Sequence, residues 1–135
     1  MLDTNTVSYI LKGVSPAARA RLATLGPDES ACLSAITEAE LWYGLARIGG
    51  GGRRYGALRS FLARMQVLPW GSGEAETYGR FRSAQEAIGR SLGPLDTQIA
   101  AHSITVGAIL ISSDAAFQHA VGLAGREAWA TDLPR

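Results

Sequence analysis

The sequence is poor in the residues that staple or clip small folds together. Cys32 is the only cysteine, so no disulfide framework can form and the chain suits a reducing compartment. With one cysteine and two histidines scattered along the chain, His102 and His119, the ligands of a structural zinc site are not there. No apolar run approaches the ~20 residues that a spanning helix needs, and the N-terminus has no basic-then-apolar leader pattern. A cytoplasmic protein with no membrane segment is therefore expected. Net charge is only +1, too little to draw the whole molecule to nucleic acid or a lipid surface. Lysine is nearly absent: of 13 Lys and Arg residues only Lys12 is a lysine. The planar fork of arginine suits phosphate and carboxylate, although a compositional bias of the source genome explains the skew more simply.

What remains is an ordinary globular composition, 47% hydrophobic and 19% charged, in a chain long enough for one domain, residues 1–135, with its own core. A short apolar opening leads into a helical pattern over Thr6–Lys12. Ser15-Pro16 reads as an N-cap with proline in the first turn of a helix running to about Leu25, and Gly26-Pro27-Asp28 breaks it. Ser30–Ile36 reads as a short buried strand, and Thr37 as the start of a helix with Leu41, Leu45 and Ile48 at helical spacing. After Gly49–Gly52 the pattern is helical again over Arg53–Met65, with a brief strand at Val67-Leu68-Pro69. Glu74–Leu92 is amphipathic helix, Gly93-Pro94 stops it, and Asp96–Val106 is a helix of small residues. Ala108-Ile109-Leu110-Ile111 has the continuous apolar character of a strand buried on both faces. A short helix follows from Asp114, and Ala128-Trp129-Ala130 is read as a terminal strand. Short strands alternating with longer helices predict an α/β fold with a mostly parallel sheet.

Four acids stand out against this background: Asp3, Glu40, Asp96 and Asp114. Each has a local explanation. Asp3 and Asp114 precede helices and can cap them. Asp96 can complement a helix dipole, and Glu40 stands three residues after Thr37 at capping-box spacing. Caps do not explain why all four lie at or near helix starts, three of them after candidate strands, since such starts converge on one edge of a parallel sheet. Carboxylates gathered there repel one another unless cations occupy the site. Hard oxygen ligands suit Mg²⁺ or Mn²⁺, and metal-assisted phosphodiester hydrolysis is the expected chemistry.

Leu2-Asp3-Thr4-Asn5, Ser34-Ala35-Ile36-Thr37-x-Ala39-Glu40-Leu41-x-Tyr43-Gly44, Leu95-Asp96-x-x-Ile99-Ala100-Ala101-His102 and Leu110-Ile111-Ser112-x-Asp114-x-x-Phe117 follow one another along the chain. Together they resemble the PIN-domain ribonucleases, in particular the VapC-type toxins of bacterial toxin–antitoxin pairs. Val121-Gly122-Leu123 followed by Trp129 is similar to that family's C-terminal end. The resemblance implies a three-layer α/β/α sandwich and Mg²⁺- or Mn²⁺-dependent cleavage of RNA. It also implies a homodimer, and a cognate antitoxin whose tail enters the active-site groove. By position Asp3, Glu40, Asp96 and Asp114 match the family's acidic quartet, and Asn5 and Ser112 match polar residues that support it by hydrogen bonding. The chain departs from the family pattern in opening almost on top of Asp3, and in carrying Ser112 where threonine is commoner.

Other chemistries fit less well. Gly89-Arg90-Ser91-Leu92-Gly93 fits the G-x-S-x-G pattern, but a nucleophilic serine of that kind needs a strand before it and a helix directly after it. An aspartyl-phosphate enzyme would pair Asp3 with an acid at position 5, which is asparagine, and would use a lysine late in the chain. Trp42, Tyr43 and Tyr78 could stack on bases, and Arg47, Arg53, Arg54, Arg59, Arg64, Arg80, Arg82 and Arg90 could form a phosphate-tracking rim. Core packing and a solvated helical face are the competing explanations. The alternative to an enzyme is a module that keeps the fold but only binds a partner or RNA.

Overall fold

The centre of the molecule is laid down by alternation along three short segments. Met1, Cys32 and Leu110 belong to one buried apolar cluster, while their successors Leu2, Leu33 and Ile111 belong to another. Successive side chains of a strand point to opposite faces, so the two clusters are the two sides of one sheet. The computed structural model describes residues 1–134.

Strands β1 (Cys32–Ser34) and β2 (Gln66–Leu68) pair in parallel, with Leu33 opposite Val67. Strands β3 (Leu110–Ile111) and β4 (Arg126–Glu127) pair likewise, with Ile111 opposite Glu127. The opening residues join the two ladders. Leu2 N–H donates to the Cys32 carbonyl at 3.0 Å, Ile111 N–H donates to the Met1 carbonyl at 2.8 Å, and Asp3 N–H donates to the Ile111 carbonyl at 3.0 Å. Leu2 and Ile111 form a parallel bridge. The lateral order is thus β2, β1, Met1–Asp3, β3, β4.

Helices α1 (Thr4–Lys12), α2 (Pro16–Ala23), α3 (Ala35–Arg47) and α4 (Gly52–Ala63) supply Val7, Ile10, Ala18, Leu41, Leu58 and Phe61 to the cluster on one face. Helices α5 (Ser72–Ala87) and α6 (Pro94–Val106), with the 3₁₀ turn Ala115–His119, supply Phe81, Ile99, Ala100 and Phe117 to the other. Helices therefore cover both faces of a parallel sheet, the three-layer α/β/α arrangement expected. Full burial of Leu2, Leu33 and Leu110 stabilises this centre by about 1.5–3 kcal/mol per side chain.

Local chemistry sets the element boundaries. Ser15 accepts from Ala18 N–H and Pro16 fills the first turn of α2, as read from the sequence. Helices α1 and α6 end at Gly13 (φ 69°) and Gly107 (φ 67°), left-handed positions where glycine carries no Cβ penalty. Several expected boundaries shift. Helix α3 starts at Ala35, capped by Ser34 rather than opened by Thr37. Helix α5 stops at Ala87 instead of reaching Leu92, because Gly89 turns the chain at φ 68°. The strand expected over Ala108–Ile111 is confined to Leu110–Ile111, and Ile109 is 45% exposed. The terminal strand lies at Arg126–Glu127, not Ala128–Ala130; Trp129 and Ala130 are apolar because they fill the core. Among the described residues no helix is long and apolar enough to cross a membrane.

Candidate active site

Three of the four acids ride on segments that leave the carboxyl end of a strand. Asp3 ends the opening segment and caps α1, its Oδ1 accepting from Thr6 N–H at 2.7 Å in a buried setting. Asp114 follows β3 and caps the 3₁₀ turn, its Oδ1 accepting from Ala116 N–H at 2.8 Å. Glu40 lies in the second turn of α3, directly after β1. The capping box expected between Thr37 and Glu40 does not form; Glu40 Oε1 instead accepts from the Thr4 hydroxyl at 2.7 Å. Asp96 arrives by another route, in the first turn of α6 after Pro94, and α6 packs against both α3 and α5.

The capping explanations of Asp3 and Asp114 are thus correct as far as they go. Each cap occupies one oxygen and fixes the rotamer, which leaves the second oxygen for a ligand. Helix capping and service at a shared site are compatible roles for these two residues.

Asp96 lies within electrostatic range of the other three acids. The Asp96 carboxyl is held above its ordinary range, first by burial and then by the negative charges of Asp114, Glu40 and Asp3. Among the described residues Asp96 accepts no hydrogen bond, whereas Asp3, Asp114 and Glu40 each accept one. A half-buried carboxylate that faces three others with no donor of its own is the natural place for a cation. The ion pairs among the described residues join Arg21 to Glu29, Arg80 to Glu76 and Arg82 to Glu86, all away from this cluster. Among the described residues no arginine forms an ion pair with it.

The donor set is all oxygen and suits Mg²⁺ or Mn²⁺. Among the described residues no three His, Cys, Asp or Glu side chains already enclose a metal position.

The supporting residues divide. Ser112 Oγ accepts from Asp114 N–H at 3.1 Å, orienting the turn that carries that acid. Asn5 is exposed on the first turn of α1, and among the described residues its side chain makes no hydrogen bond. The sequence reading passed over Thr4, whose hydroxyl reaches Glu40 and lies 3.4 Å from the buried Thr37 hydroxyl. It also passed over Arg126, which donates to the Ser112 carbonyl at 3.2 Å. Thr4 stands inside the Leu2–Asn5 motif and was open to notice. Arg126 meets Ser112 only through the pairing of β4 with β3, which no local pattern reveals.

The remaining candidates lie elsewhere. Ser91 is in the exposed turn between α5 and α6, with no strand before it. Tyr43 is 66% exposed, while Trp42 is engaged with Tyr55 and lies under Arg59. The eight central arginines are all exposed, and Arg80 and Arg82 are tied to glutamates of their own helix, as on a solvated helical face.

Comparison with known proteins agrees with this architecture. Residues 1–123 match the PIN domain. The chain is 33% identical over 118 residues to Ribonuclease VapC2 of Haemophilus influenzae, covering 84% of this chain and 85% of that one. It is 30% identical over 129 residues to the tRNA(fMet)-specific endonuclease VapC of Shigella flexneri, covering 96% of each. Its fold superposes with a TM-score of 0.89 on VapBC2 from Rickettsia felis, solved bound to a promoter DNA fragment, at 27% identity over 96% of this chain and 97% of that one. A parallel sheet with helices on both faces, acids at its carboxyl edge and these relatives lead to one conclusion: the chain belongs to the VapC family of PIN-domain proteins.

Proposed function

We propose that this protein is a metal-dependent endoribonuclease and the toxin of a toxin–antitoxin pair. The observation that carries the reading is the placement of Asp3, Glu40 and Asp114 on segments leaving the carboxyl ends of the strands, with a half-buried Asp96 near enough to feel all three charges. In this reading Asp3, Asp96 and Asp114 hold Mg²⁺ or Mn²⁺, and Glu40 either joins the ligands or orients the attacking water. When bound, the ion lowers the pKa of water and stabilises charge on the oxygens of the phosphodiester under attack.

The protein's own part is positioning. The backbone N–H groups of Thr6 and Ala116 fix the rotamers of Asp3 and Asp114. Thr4 holds Glu40, and Ser112 holds the backbone at Asp114. RNA is the proposed substrate, and the name of the Shigella relative makes transfer RNA the first to offer. An antitoxin partner follows from the kinship with VapBC complexes; a homodimer and a cytoplasmic location complete the proposal.

Replacing Asp3 or Asp96 by asparagine should abolish Mg²⁺-dependent RNA cleavage while circular dichroism shows an intact fold. Full activity in either variant would refute the assignment. A wild-type protein that binds RNA, takes up no divalent ion in a titration and cuts nothing would be a binding module instead.

A further inference from the structure

His102 lies on α6, the helix of Asp96, and is fully buried. Its Nδ1 stands 2.8 Å from the Ser34 hydroxyl, and among the described residues its Nε2 has no hydrogen-bond partner. The ring meets Trp70 edge-to-face, with centroids 5.8 Å apart and planes at 88°. Ser34, also fully buried, ends β1 and caps α3 by accepting from Ile36 N–H at 3.1 Å. The next turn of α3 carries Thr37, and the one after it Glu40. The His102–Ser34 bond therefore ties the helix of Asp96 to the start of the helix of Glu40.

The direction of the bond follows from the protons available. Burial disfavours the charged imidazolium, so the ring carries one N–H. Ser34 Oγ already accepts from Ile36, and among the described residues Nδ1 is the only acceptor within reach of its proton. The hydroxyl thus donates to Nδ1, and the ring proton sits on Nε2.

We propose that His102 is a positioning residue for the cleavage reaction: as the acceptor of the Ser34 proton it fixes the seating of α3 against α6, and with it the separation of Glu40 from Asp96. This rests on the nuclease reading above. Misplacement on the ångström scale can lower turnover by about a hundredfold, so a distant strut can act on the rate.

The test turns on which ring atom matters. Asparagine places an acceptor where Nδ1 stands; glutamine places its amide near Nε2; leucine preserves bulk alone. His102→Asn should keep kcat on single-stranded RNA within about threefold of wild type, while His102→Gln, His102→Leu and Ser34→Ala should lower it on the order of tenfold or more with KM little changed. Ser34→Ala combined with His102→Leu should be no worse than the poorer single variant. A two-bond ¹H–¹⁵N spectrum of the wild type should show the proton on Nε2, and amide exchange at Ile36 should accelerate in the impaired variants only. Equal losses in all three His102 variants, a proton on Nδ1, or unchanged kcat in Ser34→Ala would overturn the proposal. A wild-type protein that cuts no RNA would sink the nuclease reading itself, and the tautomer and Ile36 exchange would still decide whether the strut exists.

Discussion

The Thr4 hydroxyl donates to Glu40 Oε1 at 2.7 Å and so joins residues 36 positions apart. It stands next to Asp3, one link further along the same backbone. A single side chain thus couples the segment that carries one acid to the helix that carries another.

Hydrogen bonds to charged groups are worth about 1.5–3 kcal/mol, which is roughly tenfold or more in rate where the bond serves the transition state. Thr4→Val should therefore lower kcat/KM for RNA by at least about tenfold, with a small change in Tm because the pair is only half-buried. Thr4→Ser should restore most of the activity. Steady-state cleavage of a fluorescent oligonucleotide measures both.

Asp96 should show opposite signs in stability and function. Its folded-state carboxyl is raised by burial and by the Asp114, Glu40 and Asp3 charges, so the native state binds the proton more tightly than the unfolded chain. Stability from this group is present at low pH and is lost as pH rises through the raised value. At neutral pH without divalent ions, Asp96→Asn should therefore melt at a higher temperature than wild type while being inactive. Adding Mn²⁺ should raise the Tm of wild type much more than that of the variant. Differential scanning fluorimetry with and without Mn²⁺ is the check.

His102 gives a second pH signature. Burial holds its imidazole below the ordinary 6.5, with the Glu74 charge acting in the other direction. Below pH 6.5 the unfolded chain takes up a proton that the native state still refuses, so stability falls as pH falls through that range and is unaffected above it. Urea midpoints on either side of pH 6.5 should diverge in wild type and draw together in His102→Asn.

Ser112 tests the turn before Asp114. Ser112→Thr keeps the hydroxyl that accepts from Asp114 N–H and should leave cleavage close to wild type. Ser112→Ala should lower kcat severalfold, since it frees the backbone that aims the acid. Parallel kinetics of the two variants separate these outcomes.

The α/β character with its parallel sheet and the acids are legible in the sequence as local pattern, whereas the three-layer arrangement is implied only by the family resemblance. Ser15-Pro16 and the run around Leu110 announce their elements through capping chemistry and buried apolar character. What sequence reading missed is written across the chain. Glu40 sits at capping-box spacing from Thr37, yet its partner is Thr4, because α1 and α3 pack together. Trp129 and Ala130 look like a strand since burial alone makes them apolar. In the sequence His102 is one of two scattered histidines within a helix of small residues, and only the juxtaposition of α6 with Ser34 reveals its buried polar contact.

The pairing of Leu2 with Ile111 has a consequence for synthesis. Leu2 must wait for a strand made more than a hundred residues later before it has a neighbour on that side. Loop closure over such a distance is entropically costly and comes late. Asp3 and Asp114 consequently remain apart on every nascent chain until the segment around Ile111 has been made and paired, and the acids do not gather on a polypeptide that still lacks it.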